Sequence, residues 1–156
     1  MKKGKFIVID GTDGSGKGTQ VEIMKKRLLK EGKDVAVVDF PRYGKRSAFF
    51  VEKYLNGEYG GIEDVGPKMG STFYALDRFD SKQEIVDMLE QGKVLLANRY
   101  VSASMGHQGS KISDLAERKE FLDWLHELEY EIFAIPKPDV SIILHVSADI
   151  SQKLVD

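Results

Sequence analysis

Phe6-Ile7-Val8-Ile9-Asp10-Gly11-Thr12-Asp13-Gly14-Ser15-Gly16-Lys17-Gly18-Thr19-Gln20 joins three kinds of sequence in one run. Four apolar residues read as a buried strand, and the pattern from Gln20 to Lys30 reads as a helix. Between them lies a glycine-rich turn of the form G-x-x-x-x-G-K, met by Gly11, Gly16 and Lys17. Strand, glycine loop and helix are the context in which such a turn cradles phosphate. Glycines let the backbone approach an anion without a Cβ in the way. Successive N–H groups then make an anion-binding concavity, to which the helix adds its positive end. Lys17 brings an ammonium within reach of β- and γ-phosphates. The loop from Gly11 through Thr12, Asp13, Gly14, Ser15, Gly16, Lys17 and Gly18 to Thr19 is therefore the candidate nucleotide site. Gly18 stands where a Ser or Thr hydroxyl usually meets Mg²⁺, and Thr19 comes one place later.

Working outward, three more apolar runs read as buried parallel strands: Val35–Val38, Val94–Ala97 and Val140–Val146. Helical patterns lie between them. One covers Ser47 to Leu55. Another runs from about Lys68 to Glu90, with a break near Asp80. A long one runs from Ser113 or Asp114 to Phe133, with Phe121, Leu122, Leu125, Leu128 and Ile132 as its apolar face. Alternating strands and helices predict an α/β sheet with right-handed crossovers. In such sheets ligands bind beyond the carboxyl ends of the strands. The second strand ends in Asp39-Phe40-Pro41-Arg42-Tyr43 and the third in Asn98-Arg99-Tyr100. Two arginines, each beside a tyrosine, predict a second anion site facing the glycine loop, as a kinase requires. Tyr74 and Arg78, four apart on one helix, can stack on and hydrogen-bond a flat heterocycle.

The bulk composition is that of an ordinary globular chain. It has 156 residues, 42% of them hydrophobic and 31% charged, enough for one domain with a real core. A net charge of −2 gives no bulk attraction to nucleic acid or to an anionic membrane surface. The absence of cysteine excludes disulfides and thiolate metal sites. The basic N-terminus is followed by too short an apolar run for a signal peptide, so a cytoplasmic protein is expected. His145 reads as a packed residue of the fourth strand. Glu117, Glu120, Glu127 and Glu129 read as an exposed acidic surface, and no His/Asp/Glu cluster has metal-ligand spacing.

Five segments in order, Gly11–Gln20, Phe40-Pro-Arg-Tyr-Gly44, Ala75-Leu-Asp-Arg78, Asn98-Arg-Tyr-Val101 and Lys137-Pro-Asp139, make the chain resemble the thymidylate kinases, P-loop kinases of nucleoside monophosphates. The resemblance implies a three-layer P-loop kinase fold with a parallel sheet of order 2-3-1-4. It implies one domain over residues 1–156 that ends before the family's lid, fifth strand and final helix. It implies ATP-dependent phosphorylation of dTMP to dTDP, with Mg²⁺, in a homodimer. Lys17 and the loop N–H groups would hold the ATP phosphates. Arg99 would hold the dTMP phosphate, with Arg42, Tyr43 and Tyr100 alongside. Asp13 would serve the sugar 3′-hydroxyl and the metal. Phe40 and Tyr74 would pack on thymine, Arg78 would reach its O4 edge, and Ser104 would sit near N3. His107 stands where the family has Tyr or Phe beside the sugar, with Gln108 after it, and Asn98 stands where the family has Asp. A kinase for another deoxynucleotide or deoxynucleoside, or a nucleotide-binding protein with little turnover, are the alternatives. A GTPase is disfavoured because no Asn-Lys-x-Asp motif occurs.

Overall fold

The computed structural model describes residues 3–155, so Met1, Lys2 and Asp156 lie outside it. The chain forms two compact units: residues 1–39, 84–100 and 137–156, and residues 40–83 and 101–136.

The first unit is a parallel four-stranded sheet of order β2-β3-β1-β4, as the resemblance implied. Its strands are β1 (Lys5–Gly11), β2 (Val35–Asp39), β3 (Val94–Asn98) and β4 (Val140–Leu144). Helix α1 (Lys17–Lys30) packs on one face. There Ile9, Val21 and Leu96 form a buried cluster, flanked by Ile7, Met24, Leu28, Val37 and Leu144. On the opposite face Phe6 and Val8 are fully buried. The ring of Tyr100 meets Phe6 edge-on at 5.0 Å. Burial on both faces explains why β1 and β3 read as continuous apolar runs rather than alternating ones.

β4 corrects two expectations. It ends at Leu144, two residues earlier than the apolar run suggested, and His145 lies beyond it and is exposed. Val140 and Ile143 are also exposed, because β4 pairs only with β1 among the described residues. Its N-terminal end is clamped by Asp139. The Asp139 carboxylate accepts from the Phe6 N–H (2.8 Å) and from Lys5 Nζ (2.7 Å), and the Asp139 N–H donates to the Phe6 carbonyl. Lys137-Pro138-Asp139 thus registers a strand, at the N-terminal end of β1 and β4, the end of the sheet remote from the glycine loop.

The second unit is helical. A 3-10 turn (Arg46–Ala48) leads into α2 (Phe49–Leu55), and α3 (Ile62–Asp80) is interrupted at Gly66, whose backbone leaves helical geometry just before Pro67. The break expected near Asp80 is Ser81, after which α4 (Lys82–Glu90) leads back into the sheet unit. Helix α5 (Val101–Gly109) had no counterpart in the sequence reading; its small and polar residues gave no apolar periodicity. The long helix starts where expected, with Asp114 capping the N–H groups of Ala116 and Glu117 (both 2.9 Å). It is α6 (Leu115–His126) followed by a π-helical turn over Glu127–Ile132. That turn exposes Ile132 and buries Glu129 completely, reversing both expectations.

Candidate functional site

The glycine loop sits at the carboxyl end of β1, and register brings its partners there. Ile9 pairs with Asn98 and Gly11 with Leu144, while Asp39 pairs with Asn98 across β2. The Arg99 N–H donates to the Ile9 carbonyl at 3.0 Å, fixing that arginine level with the start of the loop. Gly11 has φ +146°, and a Cβ there would lie 2.6 Å from the Leu144 carbonyl oxygen and 2.7 Å from Ser15 Oγ. This position demands glycine. Gly18 has open space around it, so nothing in the fold forbids a side chain.

Within the loop, Asp10 is buried and its carboxylate accepts from the Gly11 N–H at 2.8 Å. Lys17 Nζ donates to the carbonyls of Gly11 (3.1 Å) and Thr12 (2.7 Å). Its pKa lies below the ordinary lysine value. Burial is the main cause, repulsion from Arg99 adds to it, and Asp13 and Asp10 oppose it. Arg99 holds φ +65°, a left-handed conformation that is strained for any residue with a Cβ. Its Nη2 donates to the Asp13 carboxylate in an ion pair. Two cations that repel each other, with one carboxylate paired to Arg99 beside them at a helix N-terminus, form an arrangement that an anionic phosphate would relieve. The hydroxyl of Ser151, on α7 (Ala148–Val155), donates to the Asp13 carbonyl and lies 3.5 Å from Thr12 Oγ1. It is a support for the loop that no motif announced.

Two buried oxygens here have no hydrogen-bond partner among the described residues, Ser15 Oγ and Asn98 Oδ1. No group of three carboxylate or imidazole ligands gathers among the described residues. Mg²⁺ is commonly held by one or two protein oxygens together with substrate phosphates. Asp13 and the unpartnered Asn98 Oδ1 fit it. Tyr100, expected at the substrate, is packed in the core against Phe6.

The second unit gathers the other candidates. Phe40 is buried, and the Arg42 N–H donates to Asp77 Oδ2 at 2.8 Å. The Arg42 guanidinium donates to Ser81 Oγ (2.7 Å), which donates to the Asp77 carbonyl (2.9 Å), whereas Tyr43 is exposed. Tyr74 meets Tyr54 edge-on at 6.3 Å. Arg78 is 2% exposed and forms a two-pronged ion pair with Glu129, Nε to Oε2 at 2.6 Å and Nη2 to Oε1 at 2.5 Å. Nη2 also donates to Ser104 Oγ at 3.0 Å. On α5, Val101, Ser104 and Gln108 face inward, while His107 is exposed. Gln108 accepts from Lys111 Nζ at 2.7 Å and packs over Gly70, where a Cβ would stand 3.2 Å from its amide. The structure thus joins Arg78 to Ser104, with Glu129 as the functional candidate that sequence reasoning missed. Its signal was the spacing Phe121, Leu125, Glu129, which continues the buried face of α6.

Comparison with known proteins gives a consistent result. A family model described as thymidylate kinase matches residues 9–155. The chain is 32% identical over 147 residues to the thymidylate kinase of Mycobacterium tuberculosis strain H37Rv, covering 94% of this chain and 68% of that protein. It is 29% identical over 148 residues to a probable thymidylate kinase of Pyrobaculum aerophilum, covering 94% and 67% respectively. A solved thymidylate kinase structure from Candida albicans superposes with a TM-score of 0.76 at 22% identity, covering 97% of this chain and 67% of that one.

Proposed function

The chain belongs to the thymidylate kinase family, and we propose that it transfers the γ-phosphoryl group of ATP directly to the 5′-phosphate of dTMP. Membership carries the reaction class, phosphorylation of dTMP. The donor, the direct in-line route and the residue roles are our reading. The observation that carries it is the arrangement of Lys17, Arg99 and Asp13 around the glycine loop.

A phosphate oxygen of dTMP attacks the γ-phosphorus as the bond to the β–γ bridging oxygen breaks, and ADP leaves. The nucleophile is already ionised at neutral pH, so no general base is required. The protein supplies position and positive charge. The N–H groups from Gly14 to Thr19 and the Lys17 ammonium hold the ATP phosphates. Arg99 holds the acceptor phosphate, exchanging its Asp13 partner for an anion of higher charge. Asp13, once released, and Asn98 Oδ1 would hold Mg²⁺, which neutralises phosphate charge when bound. In the helical unit, Arg78 offers only donors and so suits the 4-carbonyl of thymine, with Ser104 beside it and Tyr74 as a ring to pack on. Exposed Phe49, Phe50 and Phe79 support the homodimer expected of the family.

The test is a coupled assay for ADP formation with ATP, Mg²⁺ and a panel of dTMP, dUMP, thymidine and the 2′-hydroxyl analogue of TMP. ADP formation dependent on dTMP is expected, with thymidine inert. ATP binding measured by calorimetry without ADP formation in the presence of dTMP would overturn the reading.

A further inference from the structure

We infer that Glu129 is a positioning residue for base selection, fixing the Arg78 guanidinium and, through it, the Ser104 hydroxyl in the one arrangement that takes a 4-carbonyl pyrimidine and rejects a 4-amino one. This rests on the base-reading role proposed for Arg78 above.

Burying an arginine and a carboxylate together is costly, because both lose their water, and an apolar pair of similar volume serves stability as well or better. Stability alone therefore gives little reason for this pair, whereas a fixed hydrogen-bonding geometry does. Glu129 takes the Nε and one Nη2 hydrogen in a planar fork, which removes rotation about the guanidinium axis. The same Nη2 donates to Ser104 Oγ, so the hydroxyl must turn its own proton elsewhere. An all-donor group held rigid donates to O4 of thymine or uracil but opposes the amino group of cytosine.

The backbone around Glu129 is built for this placement. It lies within the π-helical turn, a geometry that recurs at functional sites. Its carbonyl accepts from the Ile135 N–H at 3.0 Å, and the Leu128 carbonyl accepts from the Phe133 N–H at 2.9 Å. Ala134 holds φ +48° to close the turn. Phe79, next to Arg78, packs on Phe133 at 4.9 Å, and Lys82 Nζ donates to the Phe133 carbonyl at 3.0 Å. Phe133, at the end of the turn, is thus tied to Phe79 of α3 and to Lys82 at the start of α4, close to the ion pair in both segments. The surroundings are poor in water: burial, with the Glu129 charge adding to it, pushes the Tyr130 hydroxyl up to about 12.

The experiment compares Glu129→Gln, Glu129→Asp and Arg78→Gln with the parent enzyme, measuring kcat and KM for dTMP, dUMP and dCMP, and KM for ATP, at a temperature where melting curves show each protein folded. Glu129→Gln keeps the shape but replaces one accepting oxygen by an amide N–H that faces the guanidinium, so one prong is lost and the other weakened; Glu129→Asp keeps the charge but withdraws it by one methylene. Both are expected to raise KM for dTMP about tenfold with kcat within about threefold, and to cut the dTMP-over-dCMP preference about tenfold or more. KM for ATP stays put. Lower melting temperatures with parental KM and preference in both variants would make Glu129 merely structural and overturn the inference. Should Glu129→Gln not fold, Glu129→Asp alone decides in the same way. An Arg78→Gln enzyme with unaltered base preference would instead overturn the role given to Arg78.

Discussion

Replacing Arg99 by glycine and by alanine separates what that residue does for the fold from what it does for the reaction. Its backbone sits at φ +65°, where a residue bearing a Cβ is strained by roughly 1–2 kcal/mol. Glycine has no such strain, but its freer unfolded chain returns roughly 0.4–1 kcal/mol of that advantage. Both variants lose the same guanidinium and the same ion pair with Asp13. That carboxylate is 64% exposed, so the pair is worth under about 1 kcal/mol and cancels from the comparison in any case. Arg99→Gly should therefore be more stable than Arg99→Ala by about 1 kcal/mol, which for a chain of this size is about 2–4 °C in melting temperature. Calorimetry or thermal circular dichroism on matched samples reads the difference. Both variants should lose phosphoryl transfer to dTMP alike, about 10²-fold or more in kcat/KM, because neither carries the cation. An alanine variant as stable as the glycine variant would show that the backbone stores no strain. Near-parental transfer by either would remove Arg99 from the acceptor site.

Lys17→Met should lower kcat about 10²-fold or more without lowering melting temperature. Burial and Arg99 hold the ammonium's pKa below its ordinary value, so its charge disfavours the folded state, and a lysine of this kind gains stability as pH rises from its folded pKa towards 10.5. Gly11→Ala should destabilise by about 2 kcal/mol and abolish ATP binding by calorimetry, since its Cβ would press on a backbone carbonyl; Gly18→Ser, in open space, should change stability by less than about 0.5 kcal/mol. Asp139 is bound to Lys5 and the Phe6 N–H, and both depress its pKa. Its contribution is present above its unfolded value of 3.8 and is lost as pH falls through the lower folded value. Denaturation curves should therefore show Asp139→Asn less stable than the parent at pH 7, with the gap closing towards pH 2.

The sheet unit was legible because its information is local. Phe6 to Gln20 carries strand, loop and helix in fifteen consecutive positions, and the left-handed glycines at 11, 14 and 16 are needed by the turn itself. Strand order followed from the family resemblance, while β1 and β3 could be found by their burial on both faces. The reading failed where neighbours along the sheet decide. Val140–Val146 has an apolar run as good as that of β3, but β4 is paired on one side only among the described residues, so Ile143 and His145 face outward. The run measured apolar content, and the position in the sheet set the burial.

The helical unit was less legible because its chemistry is made by distant pairs. A glutamate is rarely buried without a partner, so four glutamates on one helical stretch read as solvated surface. The partner that reverses this for Glu129 is Arg78, 51 positions earlier, and only the packing of α3 against the π turn brings them together. Helix α5 hid for the related reason that its inward face is Val101, Ser104 and Gln108, where a hydroxyl and an amide satisfy Arg78 and Lys111 in place of an apolar stripe. The two failures have one cause. The site proposed to read a base by hydrogen bonds must bury polar groups, and each is masked from pattern reading by the polarity that the proposed role requires. The loop proposed to hold phosphate escapes this because its donors would be backbone N–H groups, and the sequence betrays them through the glycines that bare them.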